Sequence, residues 1–369
     1  MSRPRSRGLF LVLASRRAFE AFTGPIPDTM KALFRFQKPR NATRIRALLP
    51  DCRIVISKSY TRPQSNHWIF EARRLGIPTL LLIDGPLEWA NLYANPSLAR
   101  LGESGATGLY EPIIHDAVAT IGKAQTQWIE ERNAGRGIEL MSYANRRIQT
   151  HETQTKRDST NPDRDFEFDF LVTTARTPYL NAREKADLSA VLSACGAALA
   201  NGSHRTLVRI YDEDLRESIR STAPSFTFET KSSFAEALSR SRCVIGTPSS
   251  VLLEAMQHDK PTGLLMFRDS PLFYQTGWLL GCSDDWGTSF VSMLGRDPNR
   301  MQRQQQSLRE NLSDQDFFTH CKRISDGELL AAPRPLDALD LEFENRVLRA
   351  MLGWRTALGQ LLGVIRKRS

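Results

Sequence analysis

Short apolar runs punctuate the 369-residue chain, and between them apolar positions return at three- and four-residue spacing. In the first half, Leu9 to Ala14, Arg53 to Ser57, Pro78 to Ile83, Ala117 to Gly122 and Gly137 to Met141 predict buried strands, with Asn66 to Leu75 as an intervening helix. A strand that is apolar at consecutive positions leaves no face for water, so these runs predict a mostly parallel sheet with helices on both sides. The alternation stops at His151 to Asp165 (HETQTKRDSTNPDRD), which lacks aliphatic residues and is dense in turn formers and charge, and so predicts a linker.

Beyond it the pattern resumes. Strands are predicted at Phe168 to Thr174, Arg205 to Ile210, Ser225 to Glu229, Cys243 to Gly246 and Thr262 to Phe267. Helices are predicted at Ala182 to Leu199, Glu213 to Ser221, Ser233 to Ser239 and Ser249 to His258. This is a second doubly wound α/β domain. No internal repeat appears at solenoid periods. Near the end, Phe343, Val347, Met351, Trp354, Leu358, Leu361 and Ile365 form one apolar stripe, with six basic and no acidic residues from Arg346 onward. Two readings of this helix stay open: packing back across the domains, or peripheral contact with an anionic membrane. The expected division is 1–150, a linker 151–165, a second domain 166–335 and the amphipathic helix 336–369.

Composition narrows the class without naming a substrate. Hydrophobic content of 41% with 25% charged residues suits a globular chain, and no run reaches the ~20 apolar residues of a spanning helix. Leu9 to Ala14 is closed by Ser15-Arg16-Arg17, too soon for a secretory signal, so it is read as a first buried strand. Five scattered cysteines without CxxC suit reduced thiols of a cytoplasmic protein. Neither HExxH nor a His/Cys cluster is present, and no metal is expected. His115, on the amino-terminal side of a strand, is read as a satisfied structural histidine. The net charge of +9 favours anionic partners. Nucleic acid is not among those expected, because the basic residues are dispersed and no reading motif occurs.

The chemistry concentrates in Cys243 to Phe267 (CVIGTPSSVLLEAMQHDKPTGLLMF). Gly246 ends the apolar run, and Thr247, Pro248, Ser249 and Ser250 supply a turn and a helix start. The first amides of a helix lack intrahelical partners and its dipole is positive there, so a phosphate beside Ser249 and Ser250 would meet amides and hydroxyls. Glu254 lies one turn on, on the face of Ser250, where a carboxylate would accept from ribose hydroxyls. In an open α/β sheet, ligands bind beyond the carboxyl ends of the strands, where this turn, Arg209 and Glu229 fall. Arg209 is read as a phosphate or sugar-carboxylate partner, its alternative being a surface arginine. Thr230 and Lys231 sit where a loop would meet the nucleobase, and Lys231 also reads as a solvated lysine.

With two Rossmann-like halves, TPSSVLLEA and LLLIDGPLEW, the chain resembles the GT-B glycosyltransferases, whose two domains face a cleft. Within that class it is similar to bacterial surface-polysaccharide enzymes, including capsule Kdo transferases and polysialyltransferases that use CMP-activated sugars. The resemblance implies that Ser249 and Ser250 contact donor phosphate, and Thr247 of the same turn is counted with the binding residues. It also implies that Asp84, before Gly85 at a strand end, is a general base or nucleophile, where the local pattern alone equally suits a turn or helix-cap aspartate. From the residues themselves, Glu88 reads as an alternative base and Trp89 as a platform for a sugar, with packing as the other reading of each. The segment FRDSPLFYQTGW is similar to one that comes after the last nucleotide-domain strand in the Kdo transferases. The family's His-Pro after the second strand of the C-terminal domain is replaced by Arg209-Ile210-Tyr211, so a cation is kept and a titrating acid is lost. The dehydrogenase GxGxxG is absent. The resemblance thus implies a metal-independent cytoplasmic enzyme, without a separate cofactor, that moves a sugar from a nucleotide donor, CMP-linked by preference. The implied acceptor is a glycan or lipid-linked glycan at the inner face of the membrane. The alternatives on the same fold are a UDP-sugar 2-epimerase, a polyol-phosphate transferase or a non-catalytic binding protein.

Overall fold

The computed structural model describes residues 8–101, 108–149, 166–269, 274–282 and 284–366. The linker expected at 151–165 lies outside them. The described residues of 1–84, 91–146 and 313–369 form one compact unit, and those of 85–90 and 147–312 form another.

The first unit is built on six parallel strands: β1 (Leu9–Val12), β2 (Phe34–Phe36), β3 (Cys52–Ser57), β4 (Thr79–Leu82), β5 (Ala117–Thr120) and β6 (Glu139–Ser142). Their order is β2-β1-β3-β4-β5-β6, so the winding changes direction between β1 and β3. Every position of β4 and β5 is buried, as unbroken apolar runs require when helices cover both faces. β2 escapes the sequence pattern because it is a three-residue edge strand with its central Arg35 exposed, too short to show a period. Its phenylalanines join a cluster in which Phe19 meets Phe34 at 5.7 Å and Phe317 at 5.6 Å between ring centroids.

Phe317 opens the helix Phe317–Asp326, which therefore fills the first core. This moves 313–335 out of the second domain, where the sequence pattern had grouped it. Apolar spacing tells which face of a helix is buried, not which sheet receives it. The last helix, Ala338–Arg366, packs its opening turns on the helix Pro63–Arg74, with Phe343 and Val347 fully buried and Phe343 5.3 Å from Tyr60. The lower half of the stripe, from Trp354, lies outside the described side chains. Among the described residues, no helix is long and apolar enough to cross a membrane.

A buried ionic cluster fastens this return. Asp340, with no exposed surface, accepts from Arg73 at 3.0 Å, Arg136 at 2.7 Å and Arg334 at 2.8 and 2.9 Å. Asp116 pairs with Arg73 at 3.2 Å and accepts from the Arg334 amide at 3.0 Å, and Asp337 pairs with Arg136 at 3.2 Å. Three guanidiniums thus meet three carboxylates, of which Asp340 and Asp116 are buried and Asp337 lies at the rim. His115 lies beside them, fully buried, with neither ring nitrogen hydrogen-bonded, which corrects the expectation of a satisfied histidine. Burial and the charges of Arg73 and Arg334 depress its pKa to about 3, so it stays neutral.

The second unit has β7 (Phe168–Thr173), β8 (Thr206–Arg209), β9 (Thr227–Phe228), β10 (Ser241–Gly246), β11 (Thr262–Leu265) and β12 (Trp278–Leu280), all parallel, in the order β12-β11-β10-β7-β8-β9. The winding reverses between β7 and β10. The helix Ala182–Asn201 starts where Asn181 accepts from the Glu184 amide at 2.9 Å, and covers one face with Leu188, Leu192, Cys195 and Leu199. β12 is another unpredicted edge strand, whose buried-exposed-buried order puts Leu279 into solvent.

Removing the hub of the ionic cluster leaves three buried guanidiniums undercompensated. Asp340→Ala is expected to cost about 3 to 5 kcal/mol. Urea unfolding should show a lower midpoint at an unchanged slope, and an unchanged midpoint would refute the role of Asp340.

Candidate functional site

Gly246 closes β10 against the end of β7 so tightly that a Cβ there would sit 2.8 Å from the Thr173 carbonyl and 3.1 Å from Leu252. That approach sets the next turn at the place where the winding reverses. Thr247 is fully buried, its hydroxyl accepting from the Ala175 amide at 2.8 Å. It therefore braces β10 to the segment after β7, which corrects its expected role as a ligand contact. Ser249 is the N-cap by backbone, with an extended φ of −172°, while its side chain makes no cap hydrogen bond and donates to the Thr247 carbonyl at 3.3 Å. The helix Ser250–Gln257 comes next, within a residue of the expected bounds.

Tyr274 was not singled out as a functional residue, although it lies in the FRDSPLFYQTGW segment. Its hydroxyl accepts from the Ser249 amide at 2.9 Å and donates to the Ser249 carbonyl at 3.3 Å. The phenol is fully buried, and burial with the nearby Glu88 carboxylate pushes its pKa up, so it remains protonated. One amide of the turn is thereby spoken for, and those of Ser250 and Val251 open the helix. The half-buried hydroxyls of Ser249 and Ser250 stand beside them. One residue past β7, the Thr174 hydroxyl is buried without a hydrogen-bond partner, a donor that no local motif announces.

Arg209 ends β8 and is 8% exposed, so it is no surface arginine. Its guanidinium donates to the Ser232 carbonyl at 3.2 Å and the Tyr211 hydroxyl at 2.5 Å. These bonds tie it to the loop carrying half-buried Thr230 and exposed Lys231. Glu254 is buried, and desolvation raises its pKa to about 7, with Arg147 and Arg209 each pulling it down. Arg147 is a further cation of this site that sequence reasoning missed, for nothing local connects it to Glu254. The second unit thus gathers a helix start, buried hydroxyls, guanidinium groups and a carboxylic acid poised near neutrality at the carboxyl ends of β7, β8 and β10.

The two candidate bases fall in different units. Glu88 belongs to the second, where Arg268 bridges it at 2.5 Å to Glu184 at 2.8 Å, all three side chains largely buried. Burial pushes the Glu88 carboxyl up against the pull of Arg268, and its second oxygen has no hydrogen-bond partner. Asp84 belongs to the first unit, pairs with Lys58 at 2.9 Å and keeps 40% of its side chain exposed, while its carbonyl accepts from Asn145 at 3.0 Å. Trp89 is 43% exposed. Among the described residues no group of three or more His, Cys, Asp or Glu side chains is arranged to hold a metal ion.

No family model and no curated protein matches the chain. Solved structures do. The UDP-GlcNAc 2-epimerase of Neisseria meningitidis, bound to UDP-GlcNAc, aligns over 88% of this chain and 100% of its own with a TM-score of 0.52 at 12% identity. The S. aureus MnaA–UDP structure aligns over 88% and 97%, with a TM-score of 0.51 at 10% identity. A Listeria monocytogenes protein ascribed the same epimerase activity reaches 0.55 at 11% identity, over 90% and 99%. Likeness at this distance establishes the fold: two Rossmann-like domains of the GT-B type.

The Glu254 shift has a definite sign and therefore a definite consequence for stability. A carboxyl raised from 4.5 to about 7 holds its proton in the folded state while the unfolded chain has lost it. Its contribution to stability is therefore complete below pH 4.5 and is lost as pH rises to about 7. Glu254→Gln should match the parent near pH 4 and exceed it by roughly 3 kcal/mol at pH 8. Parallel pH-stability curves for the two proteins would exclude the shift.

Proposed function

We propose that this protein is a GT-B glycosyltransferase that holds a nucleotide sugar at the start of the helix Ser250–Gln257 and passes the sugar to a glycan or lipid-linked acceptor. The observation that carries the reading is the helix start at the β7/β10 reversal, with Arg209 and ionisable Glu254 beside it. The Ser250 and Val251 amides, with the Ser249 and Ser250 hydroxyls, would take the donor phosphate, and Arg209 would add a cation that does not titrate. Glu254 would accept from the ribose hydroxyls once ionised, and Thr230 and Lys231 would border the base. Transfer needs a base on the acceptor hydroxyl and stabilisation of the departing phosphate. For the base, the exposure of Asp84 favours it over Glu88, which is engaged with Arg268. No separate cofactor is invoked.

A CMP-linked donor is the preference drawn from the resemblance to capsule transferases. The second reading, a UDP-sugar 2-epimerase, draws support from the fold shared with the Neisseria enzyme and its bound UDP-GlcNAc. The two part on a simple point, because an epimerase alters free nucleotide sugar without any acceptor. In either case the chain would work in the cytoplasm, and the basic end of the last helix would meet anionic lipid peripherally.

Binding and turnover test the proposal together. A CMP- or UDP-sugar at 100 times its dissociation constant should stabilise the fold by about 2.7 kcal/mol. These donors are phosphodiesters that do not titrate near neutrality, so affinity should fall from pH 8 to pH 6 in the parent and not in Glu254→Gln. Asp84→Asn should keep that affinity and lose at least a hundredfold in turnover. No stabilisation by any nucleotide sugar would end the proposal. For the membrane contact, phosphatidylglycerol vesicles should pellet the full chain and not one lacking 354–369, and equal pelleting would refute it.

A further inference from the structure

A cavity of about 700 Å³ opens in the first unit at the carboxyl ends of β1 and β3, the strands between which the winding changes direction. Its wall includes Lys38, Arg40, Lys58 and Arg62 and contains no aspartate or glutamate. Only Lys58 has an ion-pair partner among the described residues, so three cations face the cavity without a carboxylate to neutralise them. A second cavity of this unit differs in charge. That one, about 880 Å³, mixes Lys123 and Arg323 with Glu130, Glu131 and Glu139 and has no dominant sign.

Two helices begin at the basic cavity. Ser15, in its wall, caps the helix Arg16–Thr23, and Arg62, also in the wall, is the N-cap of the helix Pro63–Arg74. Both dipoles present their positive ends to the same space. An independent sign of a ligand comes from Ser65, another wall residue, whose hydroxyl is buried and has no hydrogen-bond partner. A buried hydroxyl is costly unless something accepts from it, and an anionic oxygen in the cavity would. Guanidinium forks, an ammonium and a free hydroxyl together match the several oxygens and high charge of a phosphate group better than a single carboxylate.

We propose that this cavity is an acceptor-side site for a phosphate-bearing substrate, a sugar phosphate or the phosphate head of a lipid carrier. Lys58 joins it to the candidate base of the first unit: the same ammonium that lines the cavity pairs with Asp84 at 2.9 Å. The acceptor role rests on reading Asp84 as the base; the anion site itself does not.

Titration calorimetry on the full chain tests it, with glucose 6-phosphate and geranyl diphosphate as probes and glucose as the uncharged control. At least one phosphate ester should bind, more weakly as salt rises, and glucose should not. Binding of the sugar phosphate alone identifies a soluble acceptor, and binding of the prenyl diphosphate alone identifies a lipid-borne one. Arg40→Gln with Arg62→Gln, both exposed positions, should weaken the bound probe at least tenfold at an unchanged melting temperature, and Lys38→Gln should weaken it less. Failure of both esters to bind, or undiminished binding in the double variant, overturns the site. Nucleotide-sugar affinity is measured in the same proteins. Its absence alongside intact phosphate-ester binding would refute the glycosyltransferase reading and leave the anion site standing.

Discussion

A strand in the middle of a parallel sheet must give its amides and carbonyls to neighbours on both sides while helices cover both of its faces, and its chain can return only by a crossover. A sheet that grows outward from an early strand in both directions must therefore reverse its winding once, and at the reversal adjacent crossovers leave on opposite faces. The crevice that opens there is a consequence of topology before it is a binding site. In this protein the reversal falls between β1 and β3 in one sheet and between β7 and β10 in the other. The chemically interesting residues of each unit collect there: Lys58 and the basic cavity in the first, Arg209, Glu254 and the Ser249 turn in the second.

Buried charge is handled by pairing, and the two ionic clusters differ in how completely they do it. Around Asp340 the three guanidiniums and three carboxylates balance, and main-chain carbonyls of Ile114, Arg334 and Pro335 take further donors from Arg73. Such a cluster gives little net stability over an apolar one, yet it strongly disfavours any arrangement that separates its members. It fixes where the last helix begins within the first unit. In the Glu88–Arg268–Glu184 triad one cation serves two carboxylates, and burial, aided by the neighbouring Glu184 charge, holds the Glu88 carboxyl above its usual range against the pull of Arg268.

The fold was largely legible where apolar runs were long. β4, β5, β7 and β8 fall within predicted runs, and β10 begins two residues before its own, because a strand covered on both faces must be apolar at consecutive positions. Two of the four edge strands, β2 and β12, went unseen, since three residues with one exposed carry no period. The site was legible in part. Gly246 and the two serines announce a turn and a helix start, and Arg209 and Glu254 follow from strand ends and helical spacing. Thr247 could not be sorted into brace or ligand, because that depends on an amide at Ala175, 72 residues away.

The order of residues was enough to set the alternation of strands and helices, the α/β class and the helix start at Ser249, all of which rest on interactions within a few residues. It took the packed chain to place 313–335 in the first core, to lay the Tyr274 hydroxyl on the Ser249 backbone and to bring Glu254 near neutrality. Each of these depends on desolvation and on partners brought together from distant parts of the chain. Local pattern encodes which residues prefer burial, and long-range packing fixes beside what they are buried.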